Sequence, residues 1–123
     1  MVVAVDLDGT LCEYHEGAPA EIGQPIPGMI EELQKLKEAG WVVVIWTVRP
    51  ACLELALQLE AFGVPFDHIN ENPHGPKDGS NKIYADVYID DKAFRFMGHP
   101  TGLAQAVMEF QPWHKAPPYE PQE

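Results

Sequence analysis

Val2-Val3-Ala4-Val5-Asp6-Leu7-Asp8-Gly9-Thr10-Leu11 is the stretch that decides the fold. A short apolar run passes directly into two aspartates one residue apart, then into a Gly-Thr turn. A carboxylate at the end of a buried strand is costly unless something uses it. This strand delivers Asp6 and Asp8 to its carboxyl end, where open α/β sheets place their ligands.

Outward from that strand, β-like and helix-like runs alternate, the pattern of an α/β fold with a mostly parallel sheet. Residues 2–6 read as the first strand and 12–26, with Gly17, Pro19, Gly23 and Pro25, as a loop or small hairpin. Pro27 and Gly28 open a helix with Ile30, Leu33, Leu36 and Ala39 on one side, and Gly40 stops it. Trp41-Val42-Val43-Val44-Ile45-Trp46 is continuously apolar, as suits a strand buried on both faces. Trp41 and Trp46 read as packing residues. Pro50 leads into a helix over 51–62 that Gly63 ends, and residues 64–69 form a short third strand. Residues 70–81 read as a surface loop, 83–89 contain a fourth strand, and 101–110 a short helix. The prolines from residue 112 onward predict a loose or extended tail, so the division is one domain over 1–110 and a tail over 111–123. Three apolar runs thus end in polar groups: Asp6 with Asp8, Thr47, and Asp90 with Asp91. In a parallel sheet these ends share one edge.

The 19 acidic and 8 basic residues give a net charge of −11, which argues against a nucleic-acid backbone or an anionic membrane surface as partner. No run is long and apolar enough to cross a bilayer, and the first strand leaves no room for a signal peptide, so the expected location is cytoplasmic. Cys12 and Cys52 lack metal-type spacing and read as small fillers, although Cys12 is near enough to the aspartates for a reactive thiol to be considered.

Taken singly, Asp8-Gly9 reads as a turn, Thr47 as a strand-end residue, Lys82 as a solvated lysine and Asp90-Asp91 as a solvated loop. As an ordered set, Asp6-Leu7-Asp8-Gly9-Thr10, Thr47, Lys82 and Asp90-Asp91 resemble the four-motif signature of the haloacid dehalogenase superfamily, over residues 2–92. The resemblance implies a three-layer Rossmann-like domain with helices flanking the sheet. It implies Asp6 as the nucleophile that forms an aspartyl-phosphate, and Asp8 as general acid and then general base. That second aspartate is what the superfamily's phosphatases and phosphomutases have. Gly9 and Thr10 would turn backbone amides toward the phosphate, Thr47 and the Val48 amide would hydrogen-bond phosphoryl oxygens, and Lys82 would offset charge, with Lys77 and Lys92 as weaker competitors. Mg2+ would be held by the Asp6 carboxylate, the Asp8 backbone carbonyl and Asp90, with Asp91 a further candidate. Four crowded carboxylates with one lysine nearby should repel each other strongly. Arg49 would meet the substrate phosphate or form a surface ion pair. His68, Asn70, Asn72 and His74 could line the entrance, and Tyr14, His15 and Glu16 lie where this family forms a flap.

Only 38 residues separate Asp8 from Thr47, and 34 separate Thr47 from Lys82, so neither interval has room for a cap domain. A capless member needs a large substrate that covers the site, or a neighbouring copy as lid, for which Phe94, Phe96, Met97 or the tail are candidates. The chain after Asp91 leaves room for no fifth strand, or for a stub near 93–96. The expected function is a Mg2+-dependent phosphatase acting on a phosphomonoester. The alternatives are a phosphate- or metal-binding module without turnover and a phosphotransferase.

Overall fold

A computed structural model describes residues 1–17, 19–73 and 82–115. His74, Lys77 and the tail beyond residue 115 lie outside the described residues. The order is β1 (Val2–Val5), α1 (Met29–Glu38), β2 (Val42–Ile45), α2 (Leu53–Phe62), β3 (His68–Ile69), β4 (Val87–Ile89), α3 (Leu103–Glu109) and a 3-10 turn at Trp113–Lys115. The strands form one parallel sheet in the order β3-β2-β1-β4, with helices flanking it in a Rossmann-like arrangement.

Alternation along β1 and β2 divides the apolar residues between two faces, as the two-residue strand period requires. Val3, Val5, Val43 and Ile45 meet Leu33 of α1 and Leu55 and Leu59 of α2. Val2, Ala4 and Val44 lie in a smaller cluster with Ile83 on the other face. Trp41 packs against the first cluster and Trp46 against the second, as expected of packing residues. β2 is buried on both faces at Val43, Val44 and Ile45.

The helices begin later than their prolines suggest. Gly28 adopts φ 89° as the N-cap of α1, so Pro27 precedes the helix instead of filling its first turn. Pro50 sits in the loop before the Cys52 N-cap of α2. Gly63, at φ 80°, ends α2 as the sequence indicates. Ala39 is the exposed C-cap of α1, not a core position. The third strand shrinks to His68–Ile69 because Val64 still bonds back to Leu59 O at 3.0 Å and the chain pairs only from Asp67 onward. No fifth strand occurs among the described residues.

Between Asp8 and Thr47 the described chain is used by the flap, α1 and β2, which leaves no cap domain there. The flap is a small hairpin: Glu13 N donates to Gln24 O and Ile26 N to Leu11 O, each at 2.9 Å. Gln58 of α2 pins it, accepting from Ile22 N at 3.0 Å and donating to Ala20 O at 3.1 Å. Among the described residues, no helix is long and apolar enough to cross a membrane.

Leu59 is fully buried whereas Leu57, on the same helix, is 53% exposed. Leu59→Ala should therefore lower the unfolding free energy by about 2–5 kcal/mol, and Leu57→Ala by roughly 0.5 kcal/mol or less. Urea denaturation of both variants checks this.

Candidate active site

Parallel register sets the site. Val5 is level with Ile45 on one side and Ile89 on the other, so the residues that follow these strands emerge at one edge. Asp6 N donates to Ile89 O at 2.9 Å, which fastens the nucleophile candidate beside Asp90 and Asp91. Ligand atoms of Asp6, Asp90 and Asp91 all lie within 4.8 Å of one another. An open cleft of about 350 Å3 lies over them, lined among others by Asp6, Asp8, Tyr14, Asp90, Asp91 and Lys92.

Charge in this cluster is unevenly compensated. Burial, then the hydrogen bond with Asp91 and the charges of Asp90 and Asp91, push the Asp6 carboxyl up to about 8. Asp91 moves the other way: burial opposes its ionisation, but hydrogen bonds with Asp6 and His114 outweigh that and lower it. Asp90 is exposed, and its Oδ1 accepts from Lys92 N at 2.8 Å. All-oxygen donors, with negative charge that the chain itself leaves uncompensated at Asp6, fit a hard divalent cation such as Mg2+.

The expected mutual repulsion of four carboxylates is not what the fold presents, because Asp8 is withdrawn from it. Arg49 Nε and Nη2 donate to Asp8 Oδ2 and Oδ1, each at 2.8 Å, in a bidentate fork. Arg49 Nη1 also donates to Pro19 O, tying the fork to the flap. Arg49 is 8% exposed, so its pair with Asp8 is a buried ion pair and not a surface one. The Asp8 pair holds its guanidinium further above its usual range.

Gly9 and Thr10 depart from their expected roles. The amides of Gly9 and Thr10 do not face the cleft: they donate to Cys12 O at 2.8 Å and Leu7 O at 3.3 Å, because the turn consumes them. The Thr10 hydroxyl instead lies 3.4 Å from both Asp6 Oδ2 and Asp91 Oδ1. Thr47 is buried and its hydroxyl accepts from Arg49 N at 3.1 Å, which draws it into the turn after β2. The Val48 side chain is 96% exposed at the cleft mouth. Lys82 is not among the cleft-lining residues, whereas Lys92 is. Lys82 precedes Ile83, which is buried on the second sheet face, and its Nζ lies 5.8 Å from the Tyr88 ring centroid. Cys12 is fully buried, and burial pushes its thiol up to about 12, so it is a filler and not a reactive thiolate.

Asn70 is the positioning residue of the loop after β2. It sits at φ 54°, accepts from Thr47 N at 2.9 Å and donates to Arg49 O at 3.1 Å. Asn72 performs a similar task for the chain at 82–84, bonding Lys82 O at 3.4 Å and Tyr84 N at 3.2 Å.

The largest departure concerns residues 111–115, expected as a loose tail. Trp113 Nε1 donates to Gly9 O at 2.6 Å, and His114 Nε2 meets Asp91 Oδ2 at 2.7 Å. A domain boundary at residue 111 would therefore cut through the site. Gly9 makes the docking possible: at φ 88°, a Cβ there would fall 2.5 Å from Asp91 Oδ2 and 3.1 Å from His114 Nε2. The one sequence signal for this contact is a Trp-His pair within an otherwise proline-rich stretch.

Among solved structures, the chain is similar to a conserved protein from Bacteroides thetaiotaomicron. The two are 29% identical over 89% of this chain and 90% of that one, with a TM-score of 0.62. An MCSG target from Vibrio cholerae is 28% identical over 76% of this chain and 82% of that one, with a TM-score of 0.50. No protein-family model and no curated protein matches.

The raised Asp6 carboxyl has a stability consequence in metal-free protein. The folded chain holds that proton more tightly than the unfolded chain, whose reference value is 3.8 against about 8. This contribution is complete below about pH 4 and is lost as pH rises toward about 8. With chelator present, wild type should lose melting temperature from pH 5 to pH 8, and Asp6→Asn should lose less of it. Equal slopes for the two proteins would contradict the assignment.

Proposed function

We propose that this chain is a Mg2+-dependent phosphomonoesterase of the haloacid dehalogenase superfamily, acting through an aspartyl-phosphate on Asp6. The observation that carries the reading is the convergence of Asp6, Asp90 and Asp91 within 4.8 Å at the carboxyl edge of a parallel sheet. Asp8 stands two residues beyond Asp6 on the wall of the same cleft, as a proton carrier beside the nucleophile requires.

In this reading an Asp6 carboxylate oxygen attacks phosphorus while the bond from phosphorus to the leaving oxygen breaks. Asp8 gives that oxygen its proton, and the alcohol departs. The Asp8 carboxylate then takes a proton from water, whose oxygen attacks the aspartyl-phosphate. Inorganic phosphate leaves and Asp6 is restored. Arg49 fixes where the Asp8 oxygens lie, and for Asp8 to carry the proton one of these two bonds must open. Lys92, on the wall of the same cleft, is a cation that, alongside Lys82, would offset charge on the phosphoryl group. When bound by Asp6, Asp90 and Asp91, Mg2+ offsets their charge and that of the phosphoryl oxygens. The open cleft suits a substrate whose own bulk shields the reacting centre.

Hydrolysis of an aryl phosphate panel, with and without Mg2+, tests this for wild type, Asp6→Asn and Asp8→Asn. The expected outcome is Mg2+-dependent turnover, lost in Asp6→Asn and reduced in Asp8→Asn by at least about 100-fold, the scale of general acid-base catalysis. Full turnover in Asp6→Asn would contradict the covalent mechanism. Binding of Mg2+ and phosphate without hydrolysis of any substrate would favour a binding module, and dependence on an added alcohol a phosphotransferase.

A further inference from the structure

We infer that His114 is a positioning residue that aims Asp91 at the cation held with Asp6 and Asp90. The inference rests on the cation site of the proposed function and adds a residue from outside the four motifs.

Asp91 is almost wholly enclosed: 1% of its side chain is exposed, against 4% for His114. Solvent therefore does not orient the Asp91 carboxylate, and the chain has to. Its Oδ2 is taken by His114 Nε2 at 2.7 Å, while Oδ1 lies 3.4 Å from the Thr10 hydroxyl. One oxygen is spent on the imidazole; the other, Oδ1, shares the Thr10 hydroxyl with Asp6 Oδ2 and so lies on the Asp6 side. Rotation of the carboxylate is resisted by Gly9, whose Cα leaves no space for even a methyl group beside Oδ2.

The imidazole is itself fixed from two sides. Tyr14 of the flap stacks on it at 4.4 Å between centroids and 13° between planes. Trp113 packs edge-on at 5.6 Å and anchors the turn by donating to Gly9 O. The 3-10 turn thus joins three separate parts of the site: the loop bearing Asp6 and Asp8, the flap, and the Asp90-Asp91 end of β4. Hydrogen-bond partners behind a metal-binding carboxylate fix its direction, and the loss of such a partner weakens metal binding by about 10- to 100-fold.

The test uses the full chain with Mn2+ as the probe, followed by the electron paramagnetic resonance of free Mn2+. His114→Gln keeps an N–H within reach of Asp91, whereas His114→Leu keeps bulk without a donor. The expected result is about 10- to 100-fold weaker Mn2+ binding in His114→Leu and recovery of most of that loss in His114→Gln. Unchanged affinity in His114→Leu would overturn the inference while leaving the cation site standing. Equal weakening in both variants would overturn it too, because the ring's packing on Tyr14 would then be what matters. No Mn2+ binding by wild type would overturn both the inference and the cation site. Should His114→Leu fail to fold, wild type gives the answer through the 15N resonances of the His114 ring. They should shift along a Mg2+ titration, and a ring unmoved at saturation would overturn the inference.

Discussion

Three carboxylates brought within 4.8 Å of one another set the terms for the rest of this chain. The parallel pairing of β1 with β4 brings the backbone of Asp6 to the same edge as that of Asp90 and Asp91. Like charges at such distances cannot all remain ionised without a counter-charge. In the metal-free chain the strain is met by holding a proton on Asp6, whose carboxyl rises to about 8. A divalent cation is the other way to meet it, and the two compete for the same oxygens.

The surrounding residues read as responses to that crowding. Arg49 removes Asp8 from the cluster by a buried two-point ion pair. His114 occupies the outer oxygen of Asp91, and Thr10 bridges Asp6 and Asp91. Asn70 holds the loop that delivers Arg49, and the flap carbonyl of Pro19 closes the far side of the guanidinium. Each acidic group has thus been given a different environment, and differentiated carboxylates are what paired nucleophile and proton-transfer chemistry needs.

How much of this was legible in the sequence follows from the range of the interactions. The parallel sheet was legible because Val2–Val5 and Val42–Ile45 are apolar on both faces, a local property. Convergence of Asp6 and Asp90 followed from parallel strands ending in acids. The partner of Asp8 was not legible, since Arg49 reaches it across 41 residues through a turn that propensity does not specify. Lys82 was assigned from motif order, whereas the lysine on the cleft wall, Lys92, sits beyond the acids. Docking of Trp113 and His114 was hidden because prolines on either side predict an extended chain. Tertiary contacts to Gly9 and Asp91, distant in sequence, override that local preference.

The central claim is that Asp6 is a nucleophile sharing a cation with Asp90 and Asp91. A crystal structure grown with Mg2+ and beryllium fluoride, a mimic of phosphoryl bound to a carboxylate, tests it most directly. The account predicts beryllium fluoride on an Asp6 carboxylate oxygen, with Mg2+ touching Asp6 and Asp90. Beryllium fluoride on any other residue, or Mg2+ placed away from these aspartates, would contradict it.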